Sequence, residues 1–281
     1  MTERAVIAPV VLPHRDCEPG CPLCPADTGI DARDFTPPVQ GPAEVRDAVS
    51  KARKRRPGAL VEVAFYGGDL WALPRGERTA LLDAAEGEVR AGRASGVRVS
   101  MTPQSVLRAP LGELVSRGVV SAEVAVFSVH RETLVALGLR RSARVSLDAI
   151  GRLHRARLRA IAVLMPGLPM SSHHSAMTTV EAVIRAGADG VRLLPALALG
   201  GTRLGAQYRS GRWVPMEFGE AVTTCREQVR TLRAPGFRCF EWACSQSRIC
   251  GRPLRCSRGP TIRRCGTRSR ATCFEVVPLP R

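Results

Sequence analysis

Short apolar runs alternate with amphipathic stretches along most of this chain. Six of the runs, Val6–Leu12, Leu60–Tyr66, Val97–Met101, Ala122–Val129, Ala160–Leu164 and Val191–Leu194, are rich in Val, Ile and Leu and show little polar alternation. Runs of that length and texture predict parallel strands buried on both faces. The stretches between them, Pro42–Arg56, Pro74–Arg93, Val106–Ser116, Arg131–Leu137, Val145–Arg157 and Ser172–Ala186, predict helices, and Glu217–Leu232 adds one more after the last strand. Several open on Pro or a polar starter and stop at a glycine such as Gly118 or Gly187. Strands alternating with helices predict an α/β fold with a parallel sheet, open or closed into a barrel. In such barrels the chemistry sits at the C-terminal ends of the strands. The unusual residues of this chain fall there: Cys17, Cys21 and Cys24 after the first strand, Gly67 and Gly68 after the second, and "MPGLP" after the fifth.

Thiolates are the usual protein ligands of iron–sulfur clusters, and four irons ordinarily take four of them. The three clustered cysteines would leave one iron open to another ligand. Zinc, completed by His14, and three inert thiols are the alternatives, although zinc sites more often show two cysteine pairs. Compartment bears on this choice. "MTERAVIAPVVLP" lacks the basic start and cleavage site of a secretion signal, and charges or prolines interrupt every apolar run before it could span a bilayer. A cytoplasmic location and no membrane association are therefore expected. There, clustered cysteines more often bind metal than pair.

Charge changes the picture less than its size implies. The formal net charge is +17, but the segment from Gly236 to Arg281 has ten Arg against two Glu, a net of +8, which leaves +9 for the rest. Forty Arg, two Lys and no Asn read as the codon bias of a GC-rich genome. An anionic partner is compatible with this surface and not singled out by it. "KARKRR" (Lys51–Arg56) could hold RNA phosphates, but reads first as the solvated end of a helix. His173 and His174 are expected to be exposed at a helix start, and Cys225 to be a buried thiol.

The motifs together resemble the radical SAM superfamily. Cys17-x3-Cys21-x2-Cys24 is similar to its cluster motif, and "VEVAFYGGDLWALP" (Val61–Pro74) to the strand and glycine pair that meet the methionyl amino group of S-adenosylmethionine (SAM). "GVRVSMTPQ", "SAEVAVFSVHRETLVALG", "AIAVLMPGLPM" and "GADGVRLLPALALGGTRLGAQYRSGRWVPM" follow in the superfamily's order. The resemblance spans Pro9 to Leu232. It points to the branch that contains the radical SAM domain of the Elongator catalytic subunit and oxygen-independent coproporphyrinogen oxidase-like proteins.

This resemblance implies a partial (β/α)6 barrel of the TIM type. It also implies a [4Fe–4S] cluster on Cys17, Cys21 and Cys24, with SAM on its open iron. Tyr66, Gly67, Gly68, Asp69, Ser100, Glu123, Met165, Pro166 and Gly167 would contact SAM, the last three beside the adenine. The implied activity is radical-initiated hydrogen abstraction by way of a 5′-deoxyadenosyl radical. An electron donor such as a ferredoxin or flavodoxin would be a partner, and tRNA is a candidate substrate.

The chain departs from the branch at several places. Leu23 stands where an aromatic residue usually precedes the last cluster cysteine. Asp69 stands for Ser or Glu, and Phe127 for a glutamine expected to face the cofactor ribose. Thr102 and Gln104 stand for Arg and Asp, and Leu139, Arg140 and Arg141 for Arg-Gly-His. Trp213 keeps an aromatic position expected to serve packing. A non-catalytic or decayed iron–sulfur or metal-binding paralogue is the reading these departures leave open, and an RNA-binding module is another.

The tail reads differently from the rest. After a boundary near Pro235, six of the ten cysteines and ten Arg appear with neither helical nor strand period, and no C-x2-C pair occurs. Residues 1–235 are thus expected to be the core domain and 236–281 an irregular tail. Such composition is what GC-rich DNA yields in a shifted frame, in which case Cys239 to Cys273 carry no evolved chemistry.

Overall fold

The computed structural model describes residues 5–13, 41–198 and 202–232, together with the backbone of 238–242, 261–262 and 276–277. Strands β1 (Val6–Leu12), β2 (Val61–Gly67), β3 (Gly96–Met101), β4 (Val119–Phe127), β5 (Arg159–Leu164) and β6 (Gly190–Leu193) lie side by side in sequence order, each parallel to the next. They form a half-barrel, the expected partial (β/α)6 architecture of the TIM type. The sheet continues into a seventh parallel strand, β7 (Arg238–Trp242), beside β6. Missing alternation does not keep that segment off the sheet, because an edge strand offers its N–H and C=O groups to any extended backbone. Farther on, β8 (Thr261–Ile262) and β9 (Val276–Val277) pair antiparallel.

Helices α1 (Pro42–Arg55), α2 (Arg75–Arg90), α6 (Ala143–Arg155), α7 (His173–Arg185) and α9 (Phe218–Thr231) fall where the apolar spacing predicts them. The single helix expected over Val106–Ser116 is instead two, α3 (Pro103–Arg108) and α4 (Leu111–Ser116). Pro110 explains the break: it forces Ala109 out of helical geometry, to φ −66° and ψ 144°. Short helices α5 (Arg131–Ala136) and α8 (Arg203–Arg209) flank the C-terminal end of the sheet, and α8 has no apolar stripe that would have predicted it. No helix among the described residues is long and apolar enough to cross a membrane.

The two faces of the sheet differ in kind. Val61, Val63 and Phe65 on β2, Val97 and Val99 on β3, and their counterparts along the sheet form the main apolar core with the helices. A second cluster sits at the C-terminal end, where Leu134, Leu137, Leu139, Leu168, Leu204 and Trp213 pack with Phe127 and Met165. Alternate residues of the strands face into the barrel, and there the chain places charges. The expectation of strands apolar on both faces is therefore corrected: one buried charged residue stands among the apolar ones on each of β2, β3, β4 and β6.

One ion pair outside the barrel sets a pH test. Glu88, buried near the end of α2, accepts from Arg93 Nε and Nη2, both at 2.8 Å. Chiefly through that bond its carboxyl lies below the usual glutamate range. A lowered acid stabilises the fold above its unfolded value, and that contribution is lost as pH falls through the folded value. Because Arg93 is half exposed, screening limits the effect. Glu88→Gln should cost no more than about 1 kcal/mol at neutral pH, and the difference should disappear in acid; urea titrations at the two pH values measure both.

Candidate functional site

The C-terminal end of β1 meets that of β2. Leu12 pairs with Gly67, and the Gly68 N–H donates to the Leu12 carbonyl at 3.2 Å. Cys17, Cys21 and Cys24 lie outside the described residues, and among those described no cluster of His, Cys, Asp or Glu could hold a metal. Gly67 is exposed at φ +94°, a conformation that L side chains rarely adopt. Its backbone is therefore open to solvent where β1 ends.

Asp69 fixes this turn. Its Oδ1 accepts from the Trp71 N–H at 2.8 Å and caps the 3-10 turn Leu70–Ala72. Its Oδ2 accepts from the Thr102 N–H at 2.9 Å and the Thr102 hydroxyl at 2.7 Å. The buried carboxylate thus ties the end of β2 to the end of β3. Thr102, which replaces the branch's Arg, is the second half of that tie and also caps α3, through a bond from the Ser105 N–H.

Below the strand ends lies a chain of buried charges. Arg98 on β3 donates to Glu62 on β2 at 2.7 Å and to Glu123 on β4 at 3.3 Å. Glu123 also accepts from Arg192 on β6 at 2.8 Å. The Ser121 hydroxyl and Arg159 both reach Glu62, at 2.9 and 3.4 Å. Arg192 stacks over the Tyr66 ring, 4.6 Å from its centroid. Each of the four charges, Glu62, Arg98, Glu123 and Arg192, is no more than 6% exposed. Burial by itself would pull the Arg98 guanidinium down; Tyr66, Glu62 and Glu123 outweigh it and hold Arg98 above its ordinary value. Such a value keeps it charged at every ordinary pH.

Of the residues expected at SAM, Tyr66, Ser100 and Glu123 are thereby brought to one region of the barrel interior, with Ser100 paired in register to Glu123. Glu62, Arg98 and Arg192 were not anticipated there. Their signal was a lone charge inside an otherwise apolar strand, as in "VEVAF", "VRVSM" and "GVRLL".

Met165, Pro166 and Gly167 form the turn after β5. Gly167 has φ +83°, and a Cβ there would lie 3.1 Å from Met216 Cβ; its carbonyl accepts from Trp213 Nε1 at 3.2 Å. The turn conformation and Met216 thus require a glycine in the protein alone. Gly167→Ala should cost about 1–2 kcal/mol through the left-handed backbone, plus the Met216 contact. Gly211→Ala isolates the backbone part, since Gly211 has φ +70° and nothing within 4 Å of its added Cβ. Chemical denaturation of the two variants separates the contributions.

Phe127, at the end of β4, lies where the register shifts against β5 and takes φ +64°. Left-handed backbone is strained for a bulky residue and occurs where surrounding structure imposes it. Arg141 supplies part of that constraint: it donates to the Ala125 and Val126 carbonyls, and its guanidinium lies 5.5 Å from the Phe127 ring centroid. His173, expected at a helix start, bridges α7 to α9 through Glu227 at 2.8 Å and lies 3.2 Å from the Thr224 hydroxyl. Cys225 is buried in the main core. At the end of α1, Arg53, Lys54, Arg55 and Arg56 are exposed.

Residues 11–183 match the family described as the Radical SAM superfamily. The fold is similar to that of an archaeal Elp3 from Methanocaldococcus infernus, solved with residues 1–46 deleted, at TM-score 0.64 and 18% identity, over 84% of this chain and 56% of that one. Coproporphyrinogen III oxidase (HemN) from Escherichia coli, described as a radical SAM enzyme, aligns at TM-score 0.53 and 14% identity, over 82% and 52%. SuiB from Streptococcus suis, solved bound to S-adenosylmethionine, aligns at 0.53 and 11%, over 88% and 52%. This chain thus spans little more than half the length of each. No curated protein matches the sequence.

Proposed function

The chain belongs to the radical SAM superfamily, and from that membership we propose that it binds a [4Fe–4S] cluster through Cys17, Cys21 and Cys24 and holds SAM across the ends of β2 to β5. Membership implies SAM-dependent radical chemistry with an iron–sulfur cluster. The observation that carries it is the junction of β1 and β2, where Leu12, five residues before Cys17 in the chain, pairs with the exposed Gly67. Three thiolates and an exposed glycine backbone are a donor set that fits a cluster with one open iron and an amino acid end of SAM.

The chemistry supplied by the bound pair is radical-initiated hydrogen abstraction by way of a 5′-deoxyadenosyl radical. This chain's own residues bind and orient. Asp69 and Thr102 hold the glycine turn. Arg98 and Arg192 hold the Glu123 carboxylate beneath Tyr66, and Met165, Pro166 and Gly167 line the adenine side. A ferredoxin- or flavodoxin-type protein is the proposed electron donor.

Anaerobic reconstitution with iron and sulfide, reduction and addition of SAM test this directly. The expected products are a protein-bound cluster and 5′-deoxyadenosine. Zinc uptake without iron would overturn the cluster assignment. A cluster that forms without ever yielding deoxyadenosine would instead support the second reading, a cluster-binding protein without turnover. One observation favours that second reading: Phe127 leaves the end of β4 without a polar side chain at its last position and packs against the Leu134 and Trp213 cluster. For tRNA, the basic end of α1 is the surface to test; salt-dependent binding that survives removal of the tail would support it.

A further inference from the structure

Gln228 and Ser171, each with a buried oxygen that has no hydrogen-bond partner among the described residues, line one cleft beside the 165–167 turn proposed to meet the adenine. The cleft lies between the C-terminal ends of β4 and β5 and the first turns of α7, and α9 closes it. Phe127, Met165, Pro166, Ser171, Thr179 and Gln228 are in its wall. Gln228, on α9, is 1% exposed. Its Nε2 donates to the Ala176 carbonyl at 3.1 Å, which sets the amide's orientation and leaves Oε1 with no hydrogen-bond partner. The Ser171 hydroxyl, on the same cleft, is likewise buried without a partner.

The hydroxyl protons of the neighbouring Thr179 and Ser175 are committed elsewhere. Thr179 Oγ1 donates to the Ser175 carbonyl at 2.7 Å and accepts from the Val129 N–H at 3.3 Å. Ser175 Oγ donates to the Ser172 carbonyl at 2.9 Å, and Ser128 Oγ accepts from the His130 N–H at 3.1 Å. A buried polar group left unsatisfied costs about 1–3 kcal/mol. Two of them on one cleft call for a shared partner.

The chemistry of that partner is narrow. Gln228 Oε1 only accepts, so the partner must donate. The positive end of the α7 dipole disfavours a cation. The walls of Phe127, Met165 and Pro166 are apolar, and the interior has room for about one water molecule. We propose that the cleft holds one ordered water that donates to Gln228 Oε1 and shares a hydrogen bond with Ser171 Oγ. This water fastens the 165–171 turn to α9. Gln228 is thus a positioning residue for the turn, and the proposal stands whether or not SAM binds there.

A high-resolution crystal structure of the full chain should show one water within hydrogen-bond distance of both atoms. A dry cleft, or a protein donor on Gln228 Oε1, would overturn the proposal. Ser171→Ala and Gln228→Leu should each lower Tm, and the double variant should lose less than the two losses together, because the same water serves both. Fully additive losses would refute a shared water. The Ser171 N–H, bonded to the Leu168 carbonyl at 3.0 Å, should exchange with solvent on the order of tenfold faster in Gln228→Leu. Ser171→Thr, which keeps the hydroxyl, should retain both the parent's protection and the water. Unchanged exchange in Gln228→Leu would exclude the positioning role. If a variant does not fold, the water in the parent crystal decides.

Discussion

Arg98→Ala is expected to destabilise the protein by about 3–5 kcal/mol, the cost of breaking a buried ion pair by removing one partner. Typical domains have about 5–15 kcal/mol in total, so the variant should be marginal at ambient temperature. The loss has two parts. Among the described residues, Glu62 keeps Ser121 and the partly exposed Arg159, and Glu123 keeps Arg192. Removing the charges together should therefore be milder. Glu62→Gln combined with Arg98→Met leaves no stranded carboxylate on β2, and should cost less than Arg98→Ala alone.

In the parent, the raised Arg98 value means its contribution is fully present below the ordinary arginine range, so stability near neutral pH does not vary through Arg98. Urea titrations of parent and variant at neutral pH measure the deficit. A variant within about 0.5 kcal/mol of the parent, the range of an ordinary surface change, would show that the charge chain contributes little.

The second large effect concerns the thiols. Cys21→Ala, reconstituted anaerobically, should retain iron and sulfide only at background and form no deoxyadenosine; Cys17→Ala and Cys24→Ala should behave alike. Loss of a partner that merely supports a metal ligand costs about 10–100-fold in affinity, and loss of a ligand itself should cost more. Cys225→Ala is the control, since that thiol is buried in the core. Replacing Cys239, Cys244, Cys250, Cys256, Cys265 and Cys273 by Ser should leave iron content unchanged. Full iron retention in Cys21→Ala would defeat the proposed ligand set. The shifted-frame proposal for the tail has its own check: an intact reading frame through codon 238 on resequencing would remove it.

Local pattern was enough for much of the architecture. Six apolar runs separated by amphipathic stretches determined the strands and the parallel sheet, because a right-handed crossover through a helix leaves few other ways to bury such runs. The strand-end rule then located the cysteines, the glycine pair and the turn after β5, since each lies within a few residues of a strand terminus. Local chemistry also set Pro110 as a helix break, although the apolar spacing across it obscured the break. These features depend on neighbours in the chain.

Tertiary structure decided which distant residues share a layer of the barrel. The ion pairs among Glu62, Arg98, Glu123 and Arg192 join residues 25 to 69 positions apart. Their meeting depends on the stagger of four strands and on register shifts such as the one at Val97 and Arg98. A one-residue slip would turn each charge into the apolar core. Likewise, nothing near Gln228 or Ser171 in the sequence places them on one cleft, and nothing near Asp69 assigns it to Thr102. The sequence by itself determined the elements and the chemistry at their ends; packing determined how the charges between them are satisfied, because a buried charge is tolerated only where the fold delivers its partner.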